Sequence, residues 1–368
     1  MLPTASFWRS GHDSEELPSP TPIVPFAGRI GANQEFSVDK TNRAQIEQLQ
    51  QCPDAAPWIP LKDALSLRHF LHPALWKAAA IEAIALGTCL LVYLTCFIAV
   101  GLSETSFPSV AEICMITLPS IFATGALVPS LLGALTAILV LPLFIFAAGP
   151  VSGAHLNPTI TIATFFGRLA TLPRCILYVG FQSLGGAIGG LLLRASLDTR
   201  SVCHFSRPWR PHAHVHIQFI VPGCYIDTTK VSAGSAFAIE FTTDLALIFL
   251  SFGVGLDPRQ RSVFGPALGP IFVGVVLGML TFVTGFSRPG YTGFCKFLSQ
   301  PYEAWKSNKL QAGNPARCFG AMVGSHFASY HWIHWIAPLC AAIAHGMLYY
   351  LIPPYSRKPA SLVSEGTP

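Results

Sequence analysis

Apolar residues in this chain come in long blocks rather than in alternation or in one-sided stripes. Six blocks carry few charges: 78–102, 129–149, 174–197, 235–256, 264–286 and 332–353. A hydrocarbon core about 30 Å thick takes ~20 helical residues to cross, so each block predicts a transmembrane helix. A further apolar stretch, 113–128, runs into the second block. Taken alone it makes a seventh crossing. Taken as an extended, partly interfacial entry to the second span it keeps the count even, which suits the internal repeat.

That repeat shows in two short apolar segments that interrupt the span pattern. One holds Ser152-Gly153-Ala154-His155-Leu156-Asn157-Pro158-Thr159, the other Ala312-Gly313-Asn314-Pro315-Ala316-Arg317. Small and apolar residues follow each Asn-Pro, 160–168 and 318–327, enough for half a crossing. Each segment lies downstream of a span that opens with Ala-Ile-Glu, at Glu82 and at Glu240. Positions 82 and 157 lie 75 apart, and positions 240 and 314 lie 74 apart. Three spans followed by three spans puts the halves in opposite orientations, an inverted repeat whose functional site belongs near the midplane.

Asn-Pro suits the start of a half-helix. Proline fits the first turn because its missing N–H has no partner there in any case, and asparagine caps the free N–H groups. The partly positive end of each half-helix then faces the membrane centre. Two such ends facing one another repel a cation, hydrated protons included, while side-chain amides offer hydrogen bonds to neutral solutes. Backbone outside a continuous helix survives at that depth only where protein buries it or where it lines a cavity. The motif therefore implies a pore, with Asn157, Pro158, Thr159, Asn314, Pro315 and Ala316 at its centre.

Composition supports this reading. Of 368 residues, 51% are apolar and 11% charged, against about 25% charged in soluble domains. The net charge of +5 is spread over connectors, which argues against a nucleic-acid surface. Residues 1–74 are polar and proline-rich and predict a disordered tail, with a short amphipathic helix near 61–72. Residues 75–355 make the channel domain, with half-repeats 78–197 and 235–353, and 356–368 make a second tail. The N-terminus lacks the charged-then-apolar pattern of a cleaved leader, so the first span is expected to direct insertion. The basic residues favour two cytoplasmic termini by a narrow margin.

The ten cysteines show no metal-site spacing, and no metal or other cofactor is expected. Cys203 and Cys224 share one long connector, where a bridge between them is one option. Cys318 reads either as a pore thiol or as a small filler. The histidines at 204, 212, 214 and 216 read as a solvated loop.

At this point the chain resembles the aquaporin (major intrinsic protein) superfamily over about 78–353. The carriers are the two Asn-Pro segments, Glu82 and Glu240. Tyr178 and Gln182 with Gly185, Gly186 and Ala187 add to them, as do Asp257-Pro258-Arg259 and His331-Trp332 with Pro338. The resemblance implies an all-α membrane protein, six transmembrane helices plus two re-entrant half-helices in an inverted repeat. It also implies a homotetramer in the plasma membrane or an internal one. Cys318 after Arg317, with Thr159 where alanine is usual, is similar to the X-intrinsic-protein subgroup. That subgroup's expected cargo is glycerol, urea, boric acid or hydrogen peroxide, with water permeability variable.

By the same resemblance, Ala137, Gly285, Gln311 and Arg317 occupy the selectivity filter, and the small residues among them widen it. Glu82, Glu240 and His155 brace the half-helices. The polar, basic stretch 294–311 departs from the family spacing. It is either a genuine long loop or a translated intron. The expected function is passive diffusion of small uncharged solutes and water, without catalytic residues and with protons and ions excluded. A narrow water channel, an ion-coupled transporter and a non-conducting member are the alternatives.

Overall fold

The computed structural model describes residues 61–104, 127–196, 231–257, 261–287 and 313–351, apart from 72, 86 and 326, together with 224, 226 and 228. Every long element among them is helical. Two short helical stretches, Leu61–Ala64 and Leu67–Leu71, precede α1 (Pro73–Ala80), which runs into a π-turn at Ile81–Ala85. Then come α2 (Thr88–Glu104), α3 (Leu127–Ser152), the half-helix α4 (Pro158–Phe166) and α5 (Leu172–Ser196). The second half holds α6 (Ala233–Ser251) with a π-turn at Phe252–Leu256, α7 (Arg261–Ser287), the half-helix α8 (Pro315–Gly324) and α9 (Ile333–Leu351).

Five segments are long and apolar enough to cross a membrane: Leu75–Ile98, Leu131–Gly149, Leu172–Ser196, Ala233–Leu256 and Ala267–Thr284. Ile333–Tyr349 is a shorter apolar helix. The six expected spans are all present, with ends shifted by a few residues. The first is broken rather than continuous. Its π-turn carries Glu82, and Thr88 Oγ1 donates to the Glu82 carbonyl at 2.8 Å. A side chain at Gly87 would sit 2.7 Å from the carbonyls of both Ile81 and Glu82, so only glycine fits there. Residues 1–60 of the N-terminal tail, 113–126, the histidine run, 294–311 and the C-terminal tail lie outside the described residues, while the short helix expected near 61–72 is split into Leu61–Ala64 and Leu67–Leu71.

The packing order exposes the repeat. Within each half the first and third spans pair, α2 with α5 and α6 with α9, while the second spans α3 and α7 pack on each other across the halves. Each half-helix is held by the third span of the opposite half: α4 lies on α9, and α8 lies on α5. The α5–α8 approach is close enough that a methyl on Gly190 would overlap the Gly320 carbonyl. Leu131, Leu135, Leu139 and Leu143, four residues apart on α3, are exposed on the face away from the bundle. They form one exposed apolar stripe along the helix.

Candidate functional site: two half-helix starts on a shared lumen

The approach to α4 is a backbone that most residues avoid. Gly153, Ala154 and Leu156 have φ of 84°, 50° and 55°. For alanine and leucine that conformation costs roughly 1–2 kcal/mol each. What it achieves is direction: successive amides turn toward one carboxylate, a concave arrangement suited to an anion. Glu82 Oε1 accepts from Ser152 Oγ at 2.7 Å and from the His155 amide at 2.9 Å. Its Oε2 accepts from the Leu156 amide at 2.6 Å and from Gln182 Nε2 at 2.9 Å. Behind this, the Ser152 carbonyl accepts from Arg174 Nη2 at 2.6 Å and from Tyr178 Oη at 2.7 Å. Arg174 is fully buried, its guanidinium carbon 4.8 Å from the Tyr178 ring centroid. The His155 ring packs edge-on against Tyr178 and meets Thr161 Oγ1 at 3.1 Å.

The two half-helix starts then meet. Asn157 has extended φ/ψ (−151°, 120°), and its Oδ1 accepts from the Thr159 amide at 2.9 Å. Asn314 (−145°, 101°) caps α8 in the same way, Oδ1 accepting from the Ala316 and Arg317 amides at 3.1 and 3.2 Å. Each asparagine also reaches across. Asn157 Nδ2 donates to the Gly313 carbonyl at 2.7 Å, and Asn314 Nδ2 donates to the Leu156 carbonyl at 3.0 Å. These crossed bonds fasten two segments 156 and 158 positions apart in sequence. Pro158 and Pro315 take the first helical positions, and Thr159 and Ala316 behind them are fully buried.

A cavity of about 110 Å³ runs beside this junction, walled by α2, α3, α6, α7 and the half-helix tips. Asn157, Asn314, Arg317, His155 and Ala137 all line it. Its α3 wall extends from Gly133 to Ile145, about 18 Å at 1.5 Å per residue. Arg317 is 9% exposed and lies against Cys96 of α2. Of the other positions expected in the filter, Gly285 falls in the last turns of α7, and Gln311 is outside the described residues. Thr281, one turn before Gly285 on α7, lines the cavity, as do Thr95, Thr136 and Ser251, none of which the sequence singled out.

The second half is fastened differently. Glu240 Oε1 meets His334 Nδ1 at 3.2 Å, both side chains being fully buried, and Glu240 Oε2 has no hydrogen-bond partner among the described residues. The tie to α8 is covalent: Cys318, on its first turn, forms a disulfide with Cys224, with Cα atoms 5.3 Å apart. This corrects both cysteine expectations. Cys318 is neither a pore thiol nor a filler, and Cys224 is not paired with Cys203. Proximity decides it, because Cys224, Ile226 and Val231 pack into one cluster with Cys318, Met322, Tyr330 and Ile333. The Ile226 amide also donates to Tyr330 Oη at 3.0 Å. Closing a loop of about 100 residues stabilises by up to ~4.7 kcal/mol. Cys224→Ser, Cys318→Ser and the double variant should therefore lower the unfolding midpoint equally, since each deletes the same link. Thermal scans beside thiol titration check this.

The family described as Major intrinsic protein matches residues 70–295, more than half of the chain. The chain belongs to that family. Among curated relatives, Aquaporin-5 of Ovis aries is 28% identical over 214 residues, 57% of this chain and 64% of the relative. Aquaporin-5 of Homo sapiens is 30% identical over 211 residues, 56% of this chain and 63% of the relative. Aquaporin-B of Dictyostelium discoideum is 28% identical over 220 residues, 54% of this chain and 63% of the relative. These matches span a little under two thirds of each relative's length. A solved structure described as the aquaglyceroporin from Plasmodium falciparum matches at 18% identity with a TM-score of 0.45, covering 74% of this chain and 95% of that one. The major intrinsic protein match stops at 295, just inside the 294–311 stretch that departs from family spacing.

Proposed function

We propose that this major intrinsic protein is a passive channel for small uncharged solutes of the glycerol, urea, boric acid or hydrogen peroxide type, and for water, and that it excludes protons and ions. One observation carries the reading. Two half-helix N-termini, each capped by an asparagine, meet on the wall of a single cavity. Their dipoles place partial positive charge there, and Arg317 adds a full one at the same cavity. A cation is repelled, whereas a neutral solute finds hydrogen-bond donors.

Width favours solutes larger than water, because Ala137 presents only a methyl group to the cavity that Arg317 also lines. Membership of the major intrinsic protein family supports a conduit rather than an enzyme. The protein would sit as a homotetramer in the plasma membrane or an internal membrane, both termini cytoplasmic. An ion-coupled transporter would need its acids on the pathway. Glu240, Asp244 and His334 are instead fully buried on α6 and α9, and none of them lines the cavity.

Stopped-flow measurements on proteoliposomes test the proposal with water, glycerol, urea and hydrogen peroxide. Fast flux, linear in the gradient and without proton leak, is the expected result. Water flux alone would favour a water-selective channel. Saturable, ion-dependent uptake would favour a transporter, and absence of all flux a non-conducting member. Repeating the panel with residues 294–311 deleted shows whether that stretch belongs to the working pore.

A further inference from the structure

The cavity wall is mostly aliphatic, yet four hydroxyl side chains from four different places interrupt it: Thr95 on α2, Thr136 on α3, Thr281 on α7 and Ser251 at the end of α6. Two of them have a fixed polarity. Thr95 Oγ1 donates to the Leu91 carbonyl at 2.7 Å, with Val92 at 3.3 Å as a weaker second acceptor. Thr136 Oγ1 donates to the Leu132 carbonyl at 2.9 Å. A threonine hydroxyl has one proton and two lone pairs. Once that proton is committed to the preceding turn, the oxygen can only accept. Ser251 is fully buried, and its hydroxyl has no partner among the described residues.

The half-helix tips have the opposite polarity. Each asparagine amide spends one N–H on the crossed bond to the other half and its oxygen on capping. An amide nitrogen carries two protons, so a second N–H of Asn157 and of Asn314 remains for the lumen. Arg317 carries donors alone. Within one cavity, then, donors come from the half-helix tips and acceptors from the spans.

We propose that Thr95 and Thr136 are specificity-determining residues. They accept the O–H or N–H protons of a passing solute while the asparagine amides and Arg317 donate to its oxygen. The channel thereby selects neutral solutes rich in both donors and acceptors, polyols and ureas, relative to water. A solute stripped of its hydration shell in an aliphatic passage loses about 1–3 kcal/mol for each polar group left unpaired, and the threonine oxygens remove that penalty. Water, with two protons and freedom to rotate, can find carbonyls or a neighbouring water instead.

This inference rests on the channel reading above, and the test separates the two. Thr95→Val and Thr136→Val keep the shape and delete the acceptor, while Thr95→Ser and Thr136→Ser retain it. Glycerol, urea and water permeabilities are measured by stopped flow in vesicles holding equal amounts of protein. Each valine variant is expected to lower glycerol and urea permeability about fivefold relative to water, corresponding to one unmade hydrogen bond of ~1 kcal/mol. The serine variants should stay within about twofold of wild type. Valine variants with wild-type solute-to-water ratios would overturn the inference while leaving the channel intact. So would equal losses of water and solute, or serine variants no better than valine. Wild-type vesicles without any flux would overturn the channel reading itself. The two threonines lie on different helices, so a folding defect at one leaves the other as an independent measurement.

Discussion

Glu82→Ala is expected to yield no folded channel. The Glu82 carboxylate is fully buried and accepts from four donors: Ser152 Oγ, the His155 and Leu156 amides and Gln182 Nε2. Removing it takes the shared acceptor from the His155 and Leu156 amides, while Ser152 Oγ keeps only the Ala148 carbonyl and Gln182 Nε2 keeps only Thr161 Oγ1. At roughly 1–3 kcal/mol per buried unpaired group, the loss is a large fraction of the ~5–15 kcal/mol by which whole domains are stable. The left-handed conformations of Ala154 and Leu156 would lose the acceptor that holds them. Glu82→Gln keeps the volume but turns an NH2 group toward donors, so it should be only slightly better. Yield of the monodisperse species by size-exclusion chromatography in detergent is the readout. Wild-type yield and melting behaviour for Glu82→Ala would show that the carboxylate does not hold the first half-helix.

Gly190→Val should have an effect of similar size through a different cause. The α5–α8 seam brings backbone against backbone. A Cβ at Gly190 meets the Gly320 carbonyl, and a Cβ at Gly186 meets that of Ala316. A valine cannot be accommodated by a rotamer change, because the obstacle is main chain on a helix fastened twice at its N-terminal end. Its start is tied to Leu156 by Asn314, and its first turn is tied to Cys224. Helix association inside a membrane depends on such close packing of small residues rather than on hydrophobic burial. Overpacking commonly costs 1–3 kcal/mol, and here the strain would displace α8 together with Arg317. The expected outcome is loss of solute flux with substantial loss of heat resistance. Gly180→Val on the same helix, where an added side chain meets nothing, should leave both near wild type.

The fold was legible because its strongest signal is additive. Twenty apolar residues identify a span whatever their order, and Asn-Pro marks a half-helix start through local capping chemistry. The facing of each span was not legible. On a soluble helix the apolar stripe points to the core, but here lipid and core are both apolar, and Leu139 and Ala134 of one helix differ in exposure, 66% against 4%, without differing in polarity. For that reason the lumen threonines drew no notice, and the filter positions came from resemblance alone. Long-range chemistry was equally hidden. Arg174 lies in the first turn of α5, and only the fold places it on the Ser152 carbonyl. The Cys224–Cys318 link joins positions 94 apart, a pairing that spacing cannot select. Glu82 and Glu240 head matching triplets, yet only Glu82 gathers half-helix amides among the described residues; Glu240 faces His334.

The account stands on the cavity between the spans and the half-helix tips being the route that solutes take. Thiol modification tests this most directly. Ala137→Cys places a thiol on the cavity wall, and Leu139→Cys places one two residues away on the exposed outer face. Both go into proteoliposomes beside wild type, which reports on the native cysteines, and glycerol flux is followed before and after a small methanethiosulfonate reagent. The account predicts that modification abolishes flux through the Ala137→Cys protein and spares the Leu139→Cys protein and wild type. Undiminished flux after complete modification of the Ala137→Cys protein would contradict it.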